Sequence, residues 1–145
     1  MKKLVLAFLT AISLLFVVTG CMTTKRVVLG LGLELTTLER ASDGTVTATV
    51  TITNPNVVSY NIARATHRIF IADKFIGILN ITSPTGLPVQ QAATQSGTVT
   101  LERGTSLPAG EARYRLESTL VMRLYGDNTQ QQKTSGSGTV TITTK

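Results

Sequence analysis

The sequence predicts an all-β domain: an immunoglobulin- or fibronectin-III-like β-sandwich of about seven strands that follows a cleaved signal peptide. Three observations carry the prediction. Apolar residues alternate with polar ones at a period of two in several separate runs, the clearest being Val46, Ala48, Val50 and Ile52. Turn-forming residues punctuate those runs, and no amphipathic helical pattern follows residue 20. The chain of 145 residues has one cysteine and no tryptophan, so the Cys-Trp-Cys signature of antibody domains is absent and a fibronectin-like sandwich is the nearer expectation.

The elements follow in order. Lys2 and Lys3 precede an apolar run from Leu4 to Val18 that is too short to span a bilayer comfortably, which marks a targeting segment. Val18-Thr19-Gly20 then leads into Cys21, and this arrangement resembles the lipobox of bacterial lipoprotein precursors. The resemblance implies cleavage between Gly20 and Cys21, a diacylglycerol thioether on Cys21 and an acyl chain on its freed amine. On this reading residues 1–20 are the lipoprotein signal peptide, 21–26 a lipidated tether and 27–145 the sandwich domain. Lipoproteins of two-membrane bacteria commonly stay at the inner membrane when aspartate follows the lipidated cysteine. Met22 stands there instead, so the outer membrane, facing the periplasm, is the expected location.

Val27, Leu29, Leu31, Leu33 and Leu35 alternate with smaller or polar residues as a first strand. Ser42-Asp43-Gly44 turns the chain into Val46–Ile52, whose threonines supply a wet, β-branched outer face. Asn54-Pro55-Asn56 ends that strand, because proline cannot donate to a ladder and asparagine suits turns. From Tyr60 to Ala72 both faces are partly apolar, which a central bulge reconciles. A turn at Asp73-Lys74 leads to a strand over Phe75–Ile81, then to breakers from Thr82 to Pro88. Val89–Ala93 fits either a strand or a helical turn. Gly97–Arg103 reads as a strand and Leu107-Pro108-Ala109-Gly110 as a loop. Tyr114, Leu116, Ser118, Leu120, Met122 and Leu124 alternate inward along the next strand, Gly126-Asp127-Asn128 turns the chain back, and polar Thr129–Ser137 leads to a closing strand at Thr139–Thr143.

Few residues offer chemistry. The net charge of +6 falls to about +4 once Lys2 and Lys3 are removed, and the basic residues are scattered without interleaved aromatics, which argues against nucleic acid. His67 is the sole histidine and has no cysteine, second histidine or carboxylate pair beside it, so a structural role on a strand is expected, with no metal. Glu34 and Glu39, or Glu111 and Glu117, suit solvated cross-strand partners better than an acid and base. No nucleophile elbow is present, and neither Gly30-Leu31-Gly32 nor Gly136-Ser137-Gly138 completes a phosphate-loop pattern. These absences predict a non-enzyme without catalytic residues or cofactors, apart from the covalent diacylglycerol and N-acyl chain on Cys21. Arg113, Arg115 and Arg123 share the wet face of one strand. They are candidate contacts for a partner or an anionic surface, or a solvated face balanced by Glu117.

Val46–Thr53 running into Asn54-Pro55-Asn56, then Ile69-Phe70-Ile71, Phe75-Ile76-Gly77 and Leu107-Pro108-Ala109-Gly110, resembles the type 2 late embryogenesis abundant (LEA) domain, also called the water stress and hypersensitive response (WHy) domain. The resemblance implies a small, non-catalytic β-sandwich linked to desiccation or stress tolerance. The expected function is that of a lipid-anchored envelope protein in stress protection or protein stabilisation. An alternative is an envelope assembly or adaptor lipoprotein holding a protein partner through a sheet edge or loops. A carrier of an apolar ligand between two sheets is a third.

Overall fold

The computed structural model describes residues 30–123 and 128–145. The expected signal peptide, cleavage point and tether, with Cys21, Val27 and Leu29, therefore lie outside the described residues, as do Leu124 and most of the Gly126-Asp127-Asn128 turn. The described chain forms eight strands: β1 (Gly32–Arg40), β2 (Val46–Thr53), β3 (Tyr60–Ile71), β4 (Lys74–Ile81), β5 (Thr85–Leu87), β6 (Ala92–Leu101), β7 (Gly110–Arg123) and β8 (Thr129–Thr144).

The two-sheet immunoglobulin/fibronectin-III-like sandwich is not what these strands build. They pair in one sheet in the order β4-β6-β2-β1-β8-β7-β3-β5, and β3 also pairs with β4, so seven strands close into a barrel around a single axis. Short β5 continues the edge of β3 beyond β4. Alternation cannot distinguish the two architectures, because a sandwich and a barrel both bury every second residue. What bends this sheet closed is irregular: ladders shift register between Leu35 and Thr37, between Ile62 and Arg64, and between Ile69 and Phe70. An extra residue on one strand increases local twist and curls the sheet. The shift at Ile62/Arg64 is the bulge that the two apolar faces of β3 require.

Two ladders that closure depends on are short. β4 meets β6 only over Gly77–Leu79 against Val99–Leu101, and β1 meets β8 in parallel only over Leu38–Arg40 against Ile142–Thr144. By contrast β7 and β8 are paired from end to end, Gly110 against Ile142 through to Arg123 against Thr129.

The core is the inward half of each strand. Val46, Ala48, Val50 and Ile52 of β2 are buried, as are Tyr114, Leu116, Ser118, Leu120 and Met122 of β7. The shift at Leu35/Thr37 turns Leu38 inward as well, a position that simple alternation misses. Turns are built by local bonds. In the β1–β2 hairpin Thr45 N–H donates to the Asp43 carboxylate at 2.8 Å, Gly44 takes φ 87°, and the Asp43 pKa is held below its usual value chiefly by that backbone bond. The β3–β4 turn puts Ala72 and Asp73 at φ 46° and 63°, the geometry of a tight hairpin.

Asn54 at the end of β2 is fully buried and joins two loops. Its side-chain amide donates to Val58 O and Pro88 O at 2.8 Å each, and its Oδ1 accepts from Asn56 N–H at 2.9 Å. The structural account of Asn54-Pro55-Asn56 as a strand end and turn thus has a specific bonding basis. Gln90 occupies positive φ just before β6, so Val89–Ala93 is a turn entering a strand, and Thr82–Pro88 contains β5. The largest departure is β8, where polar Thr129–Ser137 is strand throughout.

Candidate functional site

Chemistry-bearing side chains converge in two places, one inside the barrel and one on its outer wall. Inside, β3 places His67 directly opposite Ser118 of β7. Both are buried, together with Gln95 of β6. His67 Nδ1 lies 2.7 Å from the Ser118 hydroxyl, and His67 Nε2 lies 2.9 Å from Gln95 Oε1. Gln95 in turn donates its Nε2–H to the Thr85 hydroxyl of β5 at 2.9 Å. Because the Gln95 nitrogen is used on Thr85, its oxygen faces the imidazole, which assigns the His67 proton to Nε2 and leaves Nδ1 to accept from Ser118. Burial pushes the His67 pKa below its ordinary 6.5, and the Gln95 bond offsets this only in part. The ring is neutral, fully hydrogen-bonded and shut away from solvent.

On the outer wall Arg68 of β3 and Glu117 of β7 face each other in register and form a 2.9 Å ion pair. Arg115 forms a second, shorter ion pair with the same carboxylate. Both guanidiniums also lie over aromatic rings: Arg115 is 3.8 Å from the Phe70 centroid, and Arg68 is 5.3 Å from Phe70 and 5.2 Å from Phe75. This stacking explains why Phe70, an outward-facing residue, is only 8% exposed. Beside the cluster is an open depression of 510 Å³ lined by Arg68, Glu117, Thr119, Lys133, Thr134 and Ser135. The Lys133 ammonium has no ion pair among the described residues.

The three arginines singled out in sequence are not brought together. Arg115 is paired with Glu117 and stacked on Phe70, and it shares that carboxylate with cross-strand Arg68, so the cluster keeps one net positive charge. Arg113 and Arg123 are exposed near opposite ends of β7, about 33 Å apart along an extended strand. Sequence reading missed Arg68, Phe70 and Phe75 as one cluster, because only the β3–β7 register joins them. It missed Gln95 too, whose inward position between Ala93 and Gly97 on β6 was hidden by the undecided start of that strand. Of the carboxylates weighed in sequence, Glu39 binds Lys145 at 2.7 Å and Glu117 is held by the two arginines. Among the described residues no group of three or more His, Cys, Asp or Glu is placed to hold a metal ion, and no helix is long and apolar enough to cross a membrane.

No protein-family model and no curated protein matches the chain. Solved structures do. The solution structure of a protein assigned to the late embryogenesis abundant group is 14% identical, with a TM-score of 0.50 over 98% of this chain and 89% of that one. The solution structure of an Arabidopsis thaliana protein is 19% identical with a TM-score of 0.48 over 81% of each chain, and an Archaeoglobus fulgidus protein is 12% identical with a TM-score of 0.42 over 78% of this chain and 95% of that one. At such identities a likeness speaks for the fold alone. The chain has a distant, partial resemblance in fold to a late embryogenesis abundant protein.

Proposed function

We propose that the protein is a non-catalytic, lipid-anchored protein of the bacterial cell envelope, with a type 2 LEA-like barrel, acting in stress protection or protein stabilisation at the outer membrane. The observation that carries the anchorage is Cys21 set directly behind Val18-Thr19-Gly20 at the end of a charged-then-apolar leader. The fold likeness supports the protective half. The barrel interior supports a non-catalytic role: its titratable group, His67, is neutral and sealed, so it offers no proton to an outside substrate. An adaptor role would fall to loops or to the depression beside Lys133, since ring closure removes the long open edges of a sandwich sheet.

The test compares wild type with Cys21→Ala in cells and with purified protein. Wild type should fractionate with outer membranes, and Cys21→Ala should give an uncleaved or soluble species. Purified protein should preserve the activity of a labile enzyme through drying, without turnover of any substrate. Unchanged fractionation of the variant would remove the anchor from the account, and loss of the enzyme at the rate seen with an inert control protein would remove the protective role.

A further inference from the structure

An apolar side chain of similar size would fill the space of His67 with less desolvation, so its place at the barrel centre calls for another explanation. Its position relative to the wall supplies one. The first half of β6 is laddered to β2 through Thr47–Thr53 on one side. On its other side stands β5, which is laddered to β3, and among the described residues no ladder joins β5 to β6. Side chains bridge that seam: Gln95 reaches from β6 to Thr85 on β5, and His67, seated on Ser118, holds Gln95 in place.

We propose that His67 is the sensing group of an acid-released latch, whose protonation loosens the β5–β6 seam and opens the barrel wall there. The neutral ring accepts the Ser118 proton at Nδ1 and donates from Nε2 to Gln95. A proton taken from solvent at Nδ1 turns that nitrogen into a donor, so the Ser118 hydroxyl must rotate and lose its acceptor. The new charge has no counter-ion inside. β4 faces the ring with Leu79, β7 flanks Ser118 with Leu116 and Leu120, β8 sets Thr134 opposite Ser118, and β1 and β2 turn Leu35 and Val50 inward. The other buried polar residues among those described are Asn54, Asn56, Gln95 and Ser118, none of them ionisable. The unladdered seam, closed by side chains rather than backbone bonds, is where the wall gives way to admit water to the imidazolium.

The direction follows from linkage. Burial sets the folded pKa below 6.5, so between that value and 6.5 the open form binds more protons than the closed one. Above about pH 6.5 the opening equilibrium is at its pH-independent minimum, and from there down to the folded pKa it rises by up to about tenfold per pH unit.

Because His67 is the only histidine, its ring signals in nuclear magnetic resonance of the purified full chain need no assignment by mutation. Those signals, recorded with hydrogen exchange from about pH 7.5 to about pH 5, test the latch. Protection factors in Thr85–Leu87, whose three-residue ladder to β3 borders the seam, should fall by up to about tenfold per pH unit, in step with charging of the ring, while the β1–β2 hairpin keeps its protection. His67→Gln keeps an amide donor toward Gln95 and gains no charge, so it should flatten this dependence. Equal loss of protection in every strand, an acid response in His67→Gln matching wild type, or a ring that titrates at its ordinary pKa without any change at the seam would each overturn the proposal. If His67→Gln does not fold, the wild-type comparison of seam against hairpin decides alone.

Discussion

Val50 and Thr49 show what a single position on a barrel wall decides. Val50 is fully buried in the middle of β2, whereas Thr49 points outward and shares a 2.9 Å hydroxyl contact with Ser96 of β6. Val50→Asp forces a carboxylate into apolar surroundings and should cost several kcal/mol, a large share of the roughly 5–15 kcal/mol that stabilises a small domain. Thr49→Asp loses one exposed hydroxyl contact and should cost less than about 1 kcal/mol. Thermal melts of the two variants check this, and equal losses would mean the wrong face has been assigned. Asn54 makes the same point for polar atoms. Asn54→Ala strands loop carbonyls of Val58 and Pro88 and should lower stability by about 1–3 kcal/mol, measurable by denaturant titration. Both residues were legible in sequence, Val50 from alternation and Asn54 from turn chemistry. His67 was legible only as a structural histidine, since its partners come from two other strands.

At the scale of elements, strands with apolar inner faces were readable and strands with polar inner faces were not. β8 is the instructive case. Over Thr129–Gly138 its inner positions are Gln132, Thr134, Gly136 and Gly138, so no period-two apolar signal exists. The physical reason is close approach. A Cβ at Gly136 would collide with the carbonyl oxygen of Leu33 on β1 and lie 2.9 Å from the Leu33 Cβ, and one at Gly138 would lie 3.0 Å from the Tyr114 hydroxyl. Thr134 also donates its hydroxyl at 2.9 Å to the carbonyl of Leu31, the residue before β1, where no regular ladder runs. Gly136→Ala should therefore push β1 and β8 apart and cost roughly 1–3 kcal/mol, while Gly86→Ala, with nothing within 4 Å of its added carbon, should be close to neutral. Urea titrations of the two variants compare them directly. Similar midpoints would show that the β1–β8 contact is looser than its geometry implies.

For the whole molecule, closure into a barrel was not legible because it depends on pairings between distant segments. β1 and β8 meet in parallel across nearly the full described chain, and no local residue pattern announces such a pair. Inward residues read correctly in β2 and over Tyr114–Met122 of β7 were thus compatible with the wrong architecture. On the proposed reading the anchor is a matter of place: a barrel with a continuous apolar core among the described residues, held at a membrane through Cys21. Acyl chains contribute about 0.8 kcal/mol per buried methylene, enough for more than one chain to make release negligible. Mass spectrometry of the amino-terminal peptide from protein purified out of native membranes tests that claim most directly. A peptide beginning at Cys21 and carrying diacylglycerol with an amide-linked acyl chain is the expected result, and an unmodified Cys21, or a chain that still begins at Met1, would contradict the account.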